Sequence, residues 1–307
     1  MTRTPILSFS QYRKDHIEFS SLTAEHLVSA WGEGKLSKQE IDRTLKRAIE
    51  CSFAINMHSR IIHASAANDT LSELAARNPD CSFYAIDLVC RDFIFDIPEG
   101  RQFDVRKLKR WVKNLLPDVS YLGGIDLAYY YDGNLVPGKK PPFLSWHAHV
   151  IAWGIPEERL RKLKKLAEMQ FSAGWEGAEV FHSKKWATDK IVGRAMYALK
   201  SAMSEYKVER TAETVDPATG VVRGGTIVQN KRPLRPASKL EIIRAIGDRK
   251  IDDLMIAGAG GKKVRRQILI KAWFQQRSAA DAHHERRIGA LGLPPTMLQK
   301  LAGVLTY

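Results

Sequence analysis

FLSWHAHVIAW, residues 143–153, alternates aromatic or aliphatic residues with polar ones and reads as a β-strand. In a strand, residues i and i+2 point to the same face. Trp146, Ala148, Val150 and Ala152 therefore share one face, directed into a core, and His147 and His149 project side by side from the other. A second strand, YLGGIDLAYYY at 121–131, precedes it. The eleven residues between them, DGNLVPGKKPP at 132–142, hold two glycines and turn-forming prolines but no helix. Such a short, helix-free connection joins antiparallel neighbours, because a parallel crossover needs more chain. The fold class that follows is α+β, with an antiparallel sheet at its centre.

Outward from this hairpin the pattern stays mixed. After Cys81, SFYAIDLVCRDF (82–93) reads as a strand, and so does GAEVFHS (177–183). DVRKLKRWVKNLL (104–116) has helical spacing with a basic outer face. PEERLRKLKKLAEMQF (156–171) opens on Pro and two acids and stops before Ser-Ala-Gly, which are helix start and stop signals. Thr188 is positioned to cap a helix running from Asp189 to Tyr206. Before the sheet, residues 22–50 have helical periodicity, with Leu22, His26, Leu27 and Ala30 on one face and Ser37 capping a second helix from Lys38; 51–77 continue helical. After it, 210–236 are rich in Gly, Pro and Thr and read as loop or hairpin. Ser238 to Ile256 reads as helix, GAGG (258–261) as a break, and the segment from Lys262 as a basic helix. These shifts divide the chain into an N-terminal helical subdomain (1–78), a central core (79–209) and a basic, mostly helical C-terminal extension (210–307).

Composition narrows the function classes. With 307 residues, 44% hydrophobic and 27% charged, the chain can bury a core. Three cysteines, Cys51, Cys81 and Cys90, form no CxxC pair and no disulfide framework, as in a reducing cytoplasmic setting. No apolar run approaches the roughly 18 residues of a membrane span, and MTRTPILSFSQYRKDH lacks the apolar centre of a secretory signal. The formal charge is +14. It is unevenly spread: residues 1–100 carry 11 basic and 14 acidic side chains, residues 101–307 carry 37 and 20. A surplus confined to the later two thirds points to a polyanionic partner, nucleic acid above all.

Two features carry chemistry. Imidazoles at i and i+2 on one strand face can chelate a single divalent cation, so His147 and His149 are candidate metal ligands. If the hairpin is centred near Pro137, Asp126 lies opposite residues 147–149 and is the first choice for a third ligand; His182 and Glu179 are alternatives. The second feature is Gly193-Arg194-Ala195-Met196-Tyr197-Ala198-Leu199-Lys200. On a helix, Tyr197 and Lys200 are neighbours at i and i+3, with Arg194 one turn earlier. Either pattern alone is short enough to arise by chance; the order of the two is more informative.

That order resembles the HUH endonucleases, in particular rolling-circle replication initiators. His147-Ala148-His149 matches the family's His–bulky apolar–His motif, with Ala smaller than the usual central residue, and Tyr197-Ala198-Leu199-Lys200 matches its Tyr-x-x-Lys helix. Phe83-Tyr84-Ala85-Ile86-Asp87-Leu88 would be the loosely defined first motif, a core strand. The resemblance covers about residues 81–207. It implies a Mg2+ or Mn2+ ion held by the two histidines and a third ligand, and Tyr197 as nucleophile with Lys200 beside it. Tyrosine ionises near pH 10 and needs a positive field to attack as phenolate. The product would be a 5′-phosphotyrosyl link and a free 3′-OH able to prime a polymerase. Origin DNA, single-stranded and duplex, would be the partner, the duplex contacted by the basic segment 262–287. A host helicase would unwind it, since GAGGKK (258–263) does not match the G-x-x-x-x-G-K-S/T spacing of a nucleotide-binding loop.

Other residues are given lesser roles. Tyr206, nine positions from Tyr197, falls out of phase on a straight helix and reads as structural. His283-His284 reads as surface, and Tyr129, Tyr130 and Tyr131 as buried strand residues or as a platform for unpaired bases. The competing functions are a non-catalytic DNA-binding protein, a transposase or relaxase with the same nicking chemistry, and an amidohydrolase-type metallohydrolase. The last needs later histidines and a late Asp that the sequence does not supply in that order.

Overall fold

The computed structural model describes residues 8–45, 53–132, 136, 138–215, 222–223, 225 and 227–290. The chain begins with α1 (Phe9–Gly32), α2 (Lys38–Leu45) and α3 (Met57–Arg77). Ser37 caps α2 reciprocally: its Oγ accepts from Glu40 N at 3.2 Å while Glu40 Oε2 accepts from Ser37 N at 2.7 Å. The buried side of α1 is Tyr12, His16, Thr23, Leu27 and Ala30. Leu22 and His26 are exposed, contrary to their expected place on that face.

The sheet region follows with β1 (Phe83–Leu88), β2 (Ile94–Asp96), α4 (Ile97–Arg101), α5 (Val105–Leu115), β3 (Ser120–Asp132), β4 (Phe143–Trp153), α6 (Glu157–Gln170), β5 (Phe181–Trp186) and α7 (Ile191–Ala198). Then come β6 (Ser204–Arg210), β7 (Thr214–Val215), β8 (Val222–Arg223), β9 (Ile227–Pro233), α8 (Pro236–Ile246), α9 (Ile251–Leu254), β10 (Met255–Gly258) and α10 (Gly261–Ala290). The main sheet runs β5-β1-β4-β3-β6-β9, with β2 added to β4 and β10 to β3. Every pairing in it is antiparallel except β3 with β6. The α+β class is therefore as expected.

The β3–β4 hairpin pairs Asp126 with His147 and Gly124 with His149, the register expected for a turn near Pro137. Its core face behaves as the alternation predicts: Trp146, Ala148, Val150 and Ala152 are all buried, and Trp146 Nε1 donates to Gly100 O at 3.0 Å. Against this face lies α5, whose Leu108, Trp111, Val112 and Leu115 recur at helical spacing. Burying a large apolar side chain of this kind stabilises by about 1.5–3 kcal/mol.

Three boundaries differ from the sequence reading. The helix expected from Asp189 to Tyr206 ends at Ala198, and Tyr206 lies in β6, where SEYKVER alternates and pairs with β3 and β9. The helix expected from Ser238 to Ile256 stops at Gly247, which has φ +55, a conformation glycine adopts without strain. The chain beyond it forms α9 and then β10, which joins the sheet on β3. The strand expected at 177–183 starts at Phe181, opposite Leu88, where pairing with β1 becomes available.

One continuous buried cluster extends from Tyr12 through the sheet to Ala272, so the hydrophobic core crosses both of the boundaries drawn at 78 and 210. Val264, Ile268 and Ala272 of α10 belong to it, and α10 packs along α3. Cys81 and Cys90 are free thiols; Cys51 and the side chains of His283 and His284 lie outside the described residues. Among the described residues no helix is long and apolar enough to cross a membrane.

Candidate metal centre

The face of the sheet opposite Trp146 holds the polar cluster. Asp126, His147 and His149 bring one ligand-type atom each to within 4.8 Å of one another, the only such group of three among the described residues. The imidazole Nε2 atoms of His147 and His149 are 3.1 Å apart, and Asp126 Oδ2 is 3.9 Å and 3.8 Å from them. His149 is 7% exposed and Asp126 6%. The histidines therefore face away from the apolar core but not into open water, because α7 covers them. That cover needs Gly124: a Cβ there would stand 2.5 Å from Ala198 O, so only glycine lets the end of α7 come this close to β3.

The hydrogen bonds around the rings assign their protons. His149 Nδ1 lies 2.6 Å from Asp87 Oδ1, and His147 Nδ1 lies 3.2 Å from Ser145 O. A carbonyl and an ionised carboxylate only accept, so both Nδ1 atoms are the donors. Burial, reinforced by His149, pulls His147 down to about 4, which leaves its Nε2 bare at neutral pH. Asp87 stays ionised: burial would raise its carboxyl, but His149, Arg194 and His182 outweigh it and hold it at about 2. For Asp126 burial likewise acts upward, and Lys200, His147 and His149 hold the carboxyl well below the usual range. The result is two nitrogen atoms and one carboxylate oxygen converging on a spot where a cation satisfies all three. Their outer atoms are anchored, as metal-ligating histidines and carboxylates usually are: His149 by Asp87, His147 by Ser145, and Asp126 Oδ1 by Leu127 N at 2.8 Å. The donor set fits a divalent metal ion.

Beside this group stand the residues from the second sequence feature. Tyr197 is in the last turn of α7 and meets the His149 ring edge-on, centroids 5.1 Å apart. Lys200 lies just past the helix rather than on it, yet its Nζ is 4.7 Å from the Tyr197 ring and 3.1 Å from Asp126 Oδ2. The guanidinium of Arg194 flanks the same ring at 4.8 Å and reaches Asp87 at 3.4 Å. Its Nε and Nη1 are buried without a hydrogen-bond partner. Burial raises the Tyr197 phenol above its ordinary value, while Lys200 acts in the opposite direction. Burial works against the charge on Lys200, but Asp126 and the nearby phenols of Tyr206 and Tyr197 leave the ammonium firmly protonated.

Tyr206, read from sequence as structural, sits on this same face. It pairs with Tyr130 across β6 and β3, its ring is 5.5 Å from Tyr130, and it lies within electrostatic reach of both Tyr197 and Lys200. The alternative ligands are placed elsewhere: His182 Nδ1 donates to Glu179 Oε2 at 2.7 Å, and Lys164 bonds the same carboxylate. Tyr129 and Tyr130 are buried, Tyr130 stacking on Phe143 at 4.9 Å, and Arg232 covers Tyr131, so these rings do not form an open platform.

No family model matches the chain, and no curated protein and no solved structure matches it.

Sequence reasoning missed Asp87 as a functional residue. It was visible as the one acid in an otherwise apolar strand, but its link to His149 depends on β1 lying next to β4. Asp87→Asn keeps the shape and removes the charge that orients His149. Divalent-metal affinity, measured by isothermal titration, is expected to fall about 10–100-fold, the range for loss of an outer-shell carboxylate. Unchanged affinity would mean that Asp87 serves only the fold.

Proposed function

We propose that the chain is a metal-dependent DNA-nicking and -joining enzyme of the HUH type, acting as a replication initiator. The observation that carries this reading is the convergence of Asp126, His147 and His149 with a tyrosine flanked by two cations on the same face of the sheet. A bound Mg2+ or Mn2+ ion would supply Lewis-acid polarisation of a phosphodiester. Asp126, His147 and His149 would hold it.

The chain's own residues do the rest. Tyr197 Oη attacks the scissile phosphorus, a phosphotyrosyl P–O bond forms, and the bond to the 3′ oxygen of the leaving strand breaks. Phosphodiester is exchanged for phosphodiester, so no water is consumed and the liberated 3′-OH can reverse the step or prime synthesis. The phenol proton is given up to solvent and the departing 3′ oxygen takes one up, so protons balance over the step, and Lys200 and Arg194 provide positive charge around the phenol as its proton leaves. Asp87 keeps His149 in the orientation that leaves Nε2 free.

The direct test is incubation with a single-stranded origin library and Mn2+, followed by denaturing electrophoresis. A covalent protein–DNA band that is lost with EDTA supports the reading; DNA binding without any adduct under these conditions points instead to a non-catalytic DNA-binding protein.

The basic surplus supports a DNA partner. Arg106, Lys107, Arg110 and Lys113 are exposed on α5, and Lys262, Lys263 and Arg266 at the start of α10. Because Val264 and Ile268 of α10 are buried in the core, deleting the C-terminal segment would damage the fold, and charge substitutions are the cleaner probe. Replacing Lys262, Lys263 and Arg266 by Ala is expected to weaken binding to duplex DNA. The slope of log affinity against log salt should fall by about 0.9 for each phosphate that is no longer neutralised. An unchanged slope would place the DNA elsewhere.

A further inference from the structure

We propose that Arg60, assisted by Tyr12 and His16, is a positioning residue for Lys200: helices α1 and α3 clamp the turn after α7 and so fix the Lys200 ammonium beside Asp126, an inference that rests on the metal-site reading above. Among the described residues the N-terminal helices have no other part in the site.

α7 is a helix of eight residues. A helix that short is marginal by itself, and the carbonyls of the turn that follows it, those of Leu199 and Lys200, lie beyond its own hydrogen-bond ladder. Here the partners come from far away in sequence. Leu199 O accepts from Tyr12 Oη at 3.1 Å and from Arg60 Nη1 at 3.0 Å. Lys200 O accepts from the same Nη1 at 2.9 Å. Arg60 Nε is itself held by Ala54 O. One residue on, Ser201 N donates to His16 Nε2 at 3.3 Å. His16 can accept there because its Nδ1 faces Tyr12 O, an acceptor, at 2.8 Å, which places the ring proton on Nδ1. Burial keeps the ring neutral, pulling it down to about 3. Tyr12 and His16 stack with centroids 3.8 Å apart.

All four residues are buried, Tyr12 at 1%, His16 at 0%, Arg60 at 8% and Ser201 at 1% exposed. The Arg60 cation also stands where the helix dipole is negative. Three consecutive backbone positions, 199 to 201, are thus fixed by side chains from two other helices. The Lys200 side chain leaves from the middle of that clamped turn and reaches Asp126 Oδ2. An ammonium on that oxygen competes with a metal ion for it, so the clamp trades metal affinity for a cation held against the Tyr197 ring.

The test uses the full chain, with Arg60→Met and Tyr12→Phe, each also combined with Lys200→Met. In metal-free protein, the rate of reductive methylation of Lys200 is read by mass spectrometry relative to Lys109, a half-buried lysine on α5. Release of the turn is expected to raise the Lys200/Lys109 ratio in both variants; a general loosening raises both lysines together and leaves the ratio unchanged, which overturns the proposal. Mn2+ affinity is read in parallel. Arg60→Met is expected to bind Mn2+ more tightly, by about threefold or more, as the competing charge moves off Asp126. In the Lys200→Met background the same change should add nothing. Weaker Mn2+ binding in both backgrounds would show a structural role only. If Arg60→Met does not fold, Tyr12→Phe decides, since it removes a single hydroxyl: an unchanged methylation ratio there overturns the clamp. A wild-type chain that binds no Mn2+ sinks the metal reading, and the methylation ratio still judges the clamp.

Discussion

Tyr197→Phe is expected to abolish the covalent protein–DNA band while leaving the protein folded and metal-competent. The substitution removes one oxygen. The ring keeps its edge-on contact with His149 at 5.1 Å and its place between Arg194 and Lys200, at 4.8 Å and 4.7 Å. What disappears is the nucleophile, and loss of a nucleophile typically lowers turnover by a factor on the order of 10⁴ or more. Burial holds the phenol protonated in the resting protein, so the rate depends on positive charge gathered around it. Lys200→Ala is accordingly expected to slow cleavage without ending it. The structure adds a competitor that a helical reading of residues 189–206 had set aside. Tyr206 lies on the same sheet face and within electrostatic reach of Tyr197. Peptide mapping of the adduct separates the two: a nucleotide carried by the Tyr206 peptide, with Tyr197 unmodified, refutes the assignment.

The double substitution His147→Ala/His149→Ala is expected to reduce divalent-metal affinity by well over about a hundredfold, beyond the effect of losing an outer-shell partner, and nicking with it. Two of three converging donors vanish, and Asp126 alone, already bonded to Lys200, holds a cation poorly. Stability will also change, because His149 is packed beneath α7 rather than projecting freely. Space opens where the ring was, and the two facing nitrogens 3.1 Å apart are removed. Metal affinity measured on protein shown to be folded by circular dichroism is therefore the decisive readout. Full nicking activity in the double variant, or in excess EDTA, would remove the metal from the reaction.

Much of this site was legible because it is built on a hairpin. A strand's period of two fixes which residues of FLSWHAHVIAW share a face. A turn near Pro137 fixes the register across from it, so Asp126 could be placed opposite His147 by counting. Capping by Ser37 and the apolar stripe of α5 were legible for the same reason: both are decided within one or two helical turns. The end of α7 was not. Helical spacing continues past Ala198 in the sequence, and the alternation of SEYKVER is too short to outweigh it; the segment becomes a strand because it pairs with β3 and β9, partners distant in sequence.

The amino-acid sequence by itself determined the α+β class, the central hairpin, the shared face of His147 and His149, and Asp126 as the first choice opposite them, all consequences of short-range periodicity and turn chemistry. Only the tertiary structure decided that β1 lies beside β4, which brings Asp87 to His149. It alone placed Tyr206 on the sheet and joined α10 to the same core as α1. It also decided that Tyr12, His16 and Arg60 hold the backbone of residues 199–201. Those contacts link residues more than a hundred positions apart. Their formation depends on which surfaces best exclude water and satisfy buried carbonyls once the elements exist, a competition settled by packing across the whole chain rather than by any neighbouring residues.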